Sequence, residues 1–355
     1  MAYKILYIDD QDSSTRKKDF ENIGFEVIIH KPTNNFKEIE VKVRDGIDAL
    51  VLDYKLTEGK GEQACFDAPT VAQFVRTLHV NDTSDIPIIL MSNQSVYTNS
   101  YKKDFTSQDL FDFTITKQEF NLNIVDFGEK LKSFIAAYSK IKSDKNLLLS
   151  LGLKKEDEIH SRIALSIGKI QKNIYKVSTL IYEDIISSIG ITIGEEVLAA
   201  RLGISLDSPD WDTVLDSLIE SKYIGVFSDI KNRWWMEKVN FWWKEVISES
   251  TPIRRLNAEE RVGLIKSKLK LKKLTVTEKT KHSYSSNFWT ICKYSKEPID
   301  TFDGVELLKD YLPWQEKEYL SIDSALLDRD EFKNQISKID KKAIRELASK
   351  LNKDE

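Results

Sequence analysis

Short apolar runs alternate with amphipathic helical segments over the first ~120 residues, and this alternation restricts the fold more than any other feature. The strand-like runs are KILYI, FEVIIH, DALVLDY, IPIILMSN and FDFTIT. Apolar strands separated by helices are typical of a parallel sheet that is covered on both faces. We therefore predict an α/β fold that begins with a five-stranded, doubly wound parallel sheet.

Charged and polar residues stand where these predicted strands end. Asp9 and Asp10 follow the first strand, Asp53 closes the third, Ser92 closes the fourth and Lys117 follows the fifth. The carboxyl ends of parallel strands share one edge, which is where such sheets bind ligands. Adjacent carboxylates near a core are stable only beside a positive charge. Three carboxylates suit Mg2+, while a lysine and a hydroxyl suit a phosphoryl group.

The segments IDD, LVLDY, ILMSN and TITK occur in this order, and here the chain resembles the receiver domain of bacterial response regulators. The resemblance covers about a third of the 355 residues. It implies a sheet of strand order 2-1-3-4-5 and a phosphoacceptor domain over residues 1–140. It also implies a histidine kinase or phosphotransfer protein as the phosphodonor partner, and Mg2+ as the cofactor.

The resemblance also implies a role for each residue at the strand ends. Asp53 would accept the phosphoryl group, with Asp10 binding the metal directly and Asp9 binding it mainly through water. The main-chain carbonyl of Lys55 would complete the metal shell. The phosphoryl group would be bound by Ser92 and Lys117.

Three departures from the family pattern bear on signalling. The family's switch aromatic precedes the lysine by three residues, but Thr114 stands there, so we assign the switch to Phe113, with Phe111 as the alternative. Gln118 replaces the usual proline, and the loop that follows Asp53 is long. We expect phosphorylation to change the binding preference of the face formed by the fourth helix, fifth strand and fifth helix.

Residues 141–190 are predicted to form a Lys-rich linker and one long amphipathic helix. Its apolar positions recur at steps of three and four: Ile159, Ile163, Ile167, Ile170, Ile174, Val177 and Ile181. This seam could pair two subunits as a coiled coil, but packing within its own domain is the favoured interpretation. We also expect a phosphorylation-dependent change from monomer to homodimer. His160 is interpreted as an ordinary exposed histidine rather than a phosphotransfer site.

Residues 191–355 are predicted to be a mainly helical output or partner-binding region with a winged-helix-like unit. The second helix of that unit carries mostly acids, which repel DNA phosphates, so a protein partner is favoured over nucleic acid. Trp234, Trp235, Trp242 and Trp243 are interpreted as an aromatic core rather than a partner-binding anchor. The stretch 254–281 holds ten basic residues and three acidic ones. A solvated face is favoured there over a nucleic-acid surface.

Composition excludes several other classes of protein. The net charge is −4, no apolar run reaches the ~20 residues of a membrane span, and the N-terminus lacks a signal-peptide pattern. We therefore expect a cytoplasmic protein without membrane contact. The two cysteines, Cys65 and Cys292, lie far apart and indicate neither zinc nor a disulfide framework.

The function predicted from the sequence is phosphorelay signalling to a protein effector. No catalytic constellation is recognisable beyond the receiver's own phosphorylation chemistry. The arrangement is also similar to the receiver-bearing members of bacterial anti-phage operons, so the C-terminal region could act as output, phosphate reservoir or regulator of a neighbouring effector. The alternative is a DNA-binding response regulator that controls transcription.

Overall fold

The computed structural model describes residues 2–11, 13–57, 64–78, 85–144, 146–154, 159–327, 332 and 334–354. The chain divides into two compact units. The first is Met1–Ile181 together with Gly225–Ile230, and the second is Tyr182–Ile224 with Lys231–Glu355.

The first unit is built on a five-stranded parallel sheet of order β2-β1-β3-β4-β5. Its strands are β1 (Tyr3–Ile8), β2 (Phe25–His30), β3 (Ala49–Asp53), β4 (Ile88–Ser92) and β5 (Phe113–Thr116). All side chains of β3 and β4 are buried, as expected for central strands that are covered on both faces. The predicted doubly wound sheet and its strand order are confirmed.

Helices connect these strands and cover the sheet. They are α1 (Ser14–Asn22), α2 (Phe36–Arg44), α3 (Ala68–Leu78), α4 (Gln94–Asn99), α5 (Lys117–Leu122) and α6 (Ile124–Ser143). Gly24 and Gly46 follow α1 and α2 with φ of 91° and 87°, a left-handed conformation in which glycine is least strained. The longest of these helices, α6, buries Phe127, Leu131 and Phe134.

The segment after α6 differs from the single long helix that the sequence predicts. It forms α7 (Leu147–Ser150), α8 (Ser161–Ile170) and α9 (Ile174–Thr179), followed by a π-helical turn at Leu180–Ile186. The break has a local cause, because the Asn173 side chain accepts a hydrogen bond from Lys176 N and so begins a new helix. His160 likewise lies at the start of α8, where its Nδ1 accepts from Arg162 N.

Most of the isoleucine seam is buried within the single chain, and Ile170 is partly buried. Ile163 and Val177 are fully buried, and Ile167 and Ile174 are each 6% exposed. The helix α9 packs on α6 in the first unit. The favoured interpretation, in which the seam packs within its own domain, is therefore the one observed.

The second unit has α-helices and short two-stranded ladders. Its helices are α10 (Glu195–Leu202), α11 (Trp211–Ser217), α12 (Met236–Trp242), α13 (Ala258–Leu269), α14 (Ile322–Leu327) and α15 (Lys338–Asp354). The ladders pair β6 (Thr192–Ile193) with β7 (Trp234–Trp235), β8 (Thr290–Ile291) with β9 (Pro298–Ile299), and β10 (Val305–Glu306) with β11 (Tyr319–Leu320).

The predicted wing strands are only partly present. The predicted strand at 224–229 is absent, because turns occupy 226–230, and only Trp234 and Trp235 of the second predicted strand are extended before α12 begins. A winged-helix assignment therefore remains a prediction.

The tryptophan cluster and one arginine of the basic stretch belong to the core of the second unit. Trp234, Trp235, Trp242 and Trp243 are between 2% and 7% exposed. Arg261 is fully buried, and its guanidinium donates to three backbone carbonyls. The cluster is thus the predicted aromatic core, and the basic stretch is not a uniform surface.

Candidate functional site

The carboxyl edge of the sheet brings together side chains that are far apart in the sequence. Lys117 Nζ lies 2.8 Å from Asp53 Oδ2 and 3.4 Å from Asp9 Oδ2. Lys117 is the first residue after β5, Asp53 is the last residue of β3, and Asp9 follows β1. Parallel strand order alone therefore produces this ion-pair cluster.

Burial dominates the electrostatics of Asp53. The residue is only 6% exposed, and this burial raises the pKa of its carboxyl from 3.8 to about 6. The nearby Lys117 ammonium and the hydrogen bond from Tyr54 N, 2.9 Å from Asp53 Oδ1, oppose the rise. Asp53 is consequently a carboxylate that is poorly solvated yet held in one orientation by two donors.

Asp9 is fixed by contacts that the sequence analysis did not identify. The Tyr7 hydroxyl donates to Asp9 Oδ2 at 2.5 Å, and Gln11 N donates to Asp9 Oδ1 at 2.9 Å. Burial, together with the Asp9 charge, raises the pKa of Tyr7 well above its usual value, so this hydroxyl stays protonated as a donor. The sequence did contain an indication of the Tyr7–Asp9 contact, because side chains two positions apart in a strand point to the same face.

Oxygen atoms of Asp9, Asp10 and Asp53 lie within 4.8 Å of one another. Asp10 is half-buried, and its Oδ1 accepts from Gln11 Nε2 at 3.2 Å. Clustered carboxylate oxygens at a partly open edge match the ligand preference of Mg2+. The predicted donor set therefore fits a hard divalent cation.

Lys55 and Ser92 complete the predicted set. Lys55 lies two residues beyond the end of β3, and its ammonium pairs with Asp67 at 2.8 Å. Ser92 is 1% exposed and stands opposite Thr116 in the β4–β5 ladder. Ser92 ends β4, so it lies at the carboxyl edge, while the role of the Lys55 carbonyl stays a prediction.

The position of Lys117 is stabilised by a capping box. Thr116 Oγ1 accepts from Glu119 N at 3.1 Å, while Glu119 Oε2 accepts from Thr116 N at 2.9 Å. This hydrogen-bonded cap starts α5 directly at Lys117, where the family pattern has a proline after the lysine. Gln118 is the second residue of this helix.

Phe113, the predicted switch aromatic, is 8% exposed and packs under α6. Its ring centroid lies 5.9 Å from that of Phe127 and 5.1 Å from that of Phe134, and Lys130 Nζ lies 4.2 Å from its centre. The alternative residue, Phe111, is buried in the core cluster that contains Tyr54 and Tyr101. Neither ring is exposed in this state.

Three acids and a lysine thus meet at one edge of a β2-β1-β3-β4-β5 sheet, where Ser92 ends β4. The N-terminal region has the fold of a response-regulator receiver domain. The five-stranded sheet and the helices that cover it lie in the first unit. The second unit is not part of it.

Solved structures similar to the chain include several receiver domains. A CheY-like receiver domain from Methylobacillus flagellatus is 17% identical, covering 35% of this chain and 99% of that chain, with a TM-score of 0.26. A response regulator from Thermotoga maritima in complex with Mg2+ and BeF is 22% identical, covering 37% and 98%, with a TM-score of 0.28. A structure described as an adenylate cyclase from Rhodopirellula baltica is 16% identical, covering 42% and 98%, with a TM-score of 0.30.

No family model matches the chain, and no curated protein matches it. Within the described residues, no helix combines the length and the apolar character needed to cross a membrane.

Proposed function

We propose that the first unit is a phosphoacceptor that receives a phosphoryl group on Asp53 in a two-component phosphorelay. The observation that carries the proposal is the contact of Lys117 Nζ with Asp53 Oδ2 at 2.8 Å beside the acidic cluster. The lysine that follows β5 and the carboxylates that follow β1 surround Asp53 at the end of β3, and no catalytic base is required for transfer to a carboxylate.

In the proposed transfer, one Asp53 oxygen attacks the phosphorus of a phosphohistidine or an acyl phosphate. The new oxygen–phosphorus bond forms as the bond to the donor's nitrogen or oxygen breaks, and that atom keeps the electron pair. Lys117 and the Ser92 hydroxyl bind the equatorial oxygens, where negative charge develops. Bound Mg2+, held by Asp9, Asp10, Asp53 and the Lys55 carbonyl, would neutralise phosphoryl charge.

Asp53 has to lose a proton before it can attack. Because the pKa of its carboxyl is about 6, the group is mostly ionised at neutral pH yet remains poorly solvated, which favours nucleophilic attack. Cation binding at the adjacent acids would lower that pKa.

The proposal is tested by incubating the full chain with acetyl phosphate, with and without Mg2+, and measuring intact mass. We expect one added phosphoryl group that requires Mg2+, and none on Asp53→Asn. Asp10→Asn should lose the Mg2+ dependence together with most of the uptake, whereas Asp126→Asn, on the exposed side of α6, should behave as wild type. Undiminished uptake by Asp53→Asn would disprove the assignment.

Partners and output are part of the same proposal. The phosphodonor would be a histidine kinase or a phosphotransfer protein, and the second unit would act on a protein effector. The acidic character of α11, with Asp212 and Asp216, favours a protein over DNA as the partner. We also expect the chain to change from monomer to homodimer after phosphorylation.

A further inference from the structure

A short segment of the chain, Gly225–Ile230, packs inside the first unit although it is remote from it in sequence. The residues immediately before and after it, Ile224 and Lys231, belong to the second unit. The backbone of this segment therefore continues on both sides into residues of the second unit. A change in the packing of the segment affects that backbone directly.

The segment binds to α6 and α7 through polar and aromatic contacts. Val226 N donates to Ser150 O at 2.7 Å, and the Ser133 hydroxyl donates to Asp229 Oδ1 at 2.6 Å. Phe227 is only 2% exposed, and its ring centroid lies 4.7 Å from that of Phe134 on α6. Ser133 and Phe134 are adjacent on α6, so the segment covers a defined part of that helix.

The segment is connected to the phosphoacceptor site by two ring contacts and one strand. Phe134 contacts Phe227 on one side and Phe113 on the other, with centroid distances of 4.7 and 5.1 Å. Phe113 is the first residue of β5, and Lys117 follows the last residue of that strand. The strand β5 therefore joins Lys117 to the ring that packs against Phe134.

The bound conformation of the segment is strained at Phe227. Its φ is 65°, in the left-handed region that residues with a Cβ rarely adopt. Two internal turns, Ser228 N to Gly225 O and Ile230 N to Phe227 O, hold it there at 3.2 Å each. The strain is offset by the burial of the ring against Phe134, so looser packing at Phe134 favours release.

We infer that α6 around Ser133 and Phe134 is a docking surface for Gly225–Ile230, which binds it while Asp53 is unphosphorylated and leaves it after phosphorylation. The inference rests on the proposed phosphoacceptor function and specifies how its state reaches the second unit. A phosphoryl group on Asp53 takes the place of the carboxylate oxygen that Lys117 now contacts at 2.8 Å. The lysine and the end of β5 move with it, and the Phe113–Phe134 packing loosens.

Hydrogen exchange of the full chain tests the inference. The probe is beryllofluoride with Mg2+, and the readout is the exchange rate of a peptide that spans residues 225–230. We expect about tenfold faster exchange when the probe is bound. Asp53→Asn should show the slow rate with and without the probe. Phe113→Leu should bind the probe normally but show a clearly smaller change in exchange.

Two α6 variants separate docking from a general loss of structure. Ser133→Ala should exchange faster in residues 225–230 without the probe, because Asp229 loses its hydrogen bond, while Ser139→Ala, exposed on the same helix, should match wild type. Phosphoryl uptake with unchanged exchange in residues 225–230 would refute the inference and leave the proposed function standing. Absence of both uptake and probe binding would instead refute the proposed function, and the coupling with it.

Discussion

Replacing Asp53 by asparagine should stabilise the metal-free protein at neutral pH. The native carboxylate is 6% exposed, and its pKa of about 6 lies above the ordinary value of 3.8. At about 1.4 kcal/mol per pH unit, this difference corresponds to roughly 3 kcal/mol. Asparagine keeps the shape of the side chain and removes the buried charge, so we expect a gain of about 2–3 kcal/mol in the free energy of unfolding at pH 8.

The sign of the pH dependence follows from the direction of the shift. A raised carboxyl pKa means that the folded state binds the proton more tightly than the unfolded state does. The destabilisation from Asp53 is therefore absent below about pH 4, grows as pH rises to about 6 and is complete above it. The stability difference between Asp53→Asn and wild type should accordingly vanish at pH 4 and reach its full size at pH 7.

Urea unfolding in the presence of EDTA, followed by far-UV circular dichroism, measures this difference. All seven tryptophans lie in the second unit, so their fluorescence reports on that unit separately and serves as an internal control. Asp10→Asn, at the same edge but less buried, should change stability less. A variant that is less stable than wild type at pH 8, or a difference that does not vary with pH, would refute the argument.

Three further substitutions have defined outcomes. Tyr7→Phe should tighten Mg2+ binding a few-fold in calorimetry, because the Asp9 oxygen that now accepts from the hydroxyl at 2.5 Å becomes available as a ligand; weaker binding would contradict this. Arg76→Met should destabilise the first unit by about 3–5 kcal/mol in thermal unfolding, because the buried carboxylate of Asp112, 2.8 Å from the guanidinium, loses its counterion. A loss under 1 kcal/mol would contradict it. Ile167→Asp should lower the melting temperature at every protein concentration, since the Ile167 side chain is 6% exposed within one chain. If light scattering instead shows that the variant loses mass in a concentration-dependent way, the seam pairs two subunits.

The sheet and its edge could be predicted because both depend on local patterns. Each strand is a short apolar run, and parallel order brings the residues after β1, β3, β4 and β5 to the same edge. Asp53 and Lys117, 64 positions apart, could therefore be placed together before any contact was known. The protonation state of Asp53 could not be predicted from the sequence, because its pKa depends on burial by the rest of the fold.

Other features were present in the sequence as short signals that longer patterns obscured. The heptad-like spacing from Ile159 to Ile181 favoured one helix, but Asn173 is a strong N-cap residue and starts a second one. The capping box of Thr116 and Glu119 is a recognisable T-x-x-E pattern that fixes the start of α5.

No local sequence pattern predicts how Gly225–Ile230 packs. The contact between Phe227 and Phe134 joins positions more than 90 residues apart, and apolar residues at 226–227 suit a wing strand equally well. The strand prediction for this segment was wrong because tertiary packing, rather than β-propensity, determines its turns.

The central claim is that Asp53 is the residue that becomes phosphorylated. The direct measurement is reductive trapping of the acetyl-phosphate-treated protein with borohydride, which converts an aspartyl phosphate to homoserine, followed by peptide sequencing in a mass spectrometer. The account predicts homoserine at position 53 in the Mg2+-containing sample and its absence without acetyl phosphate. Homoserine at position 9 or 10, or a phosphoryl group on His160 with Asp53 unmodified, would contradict it.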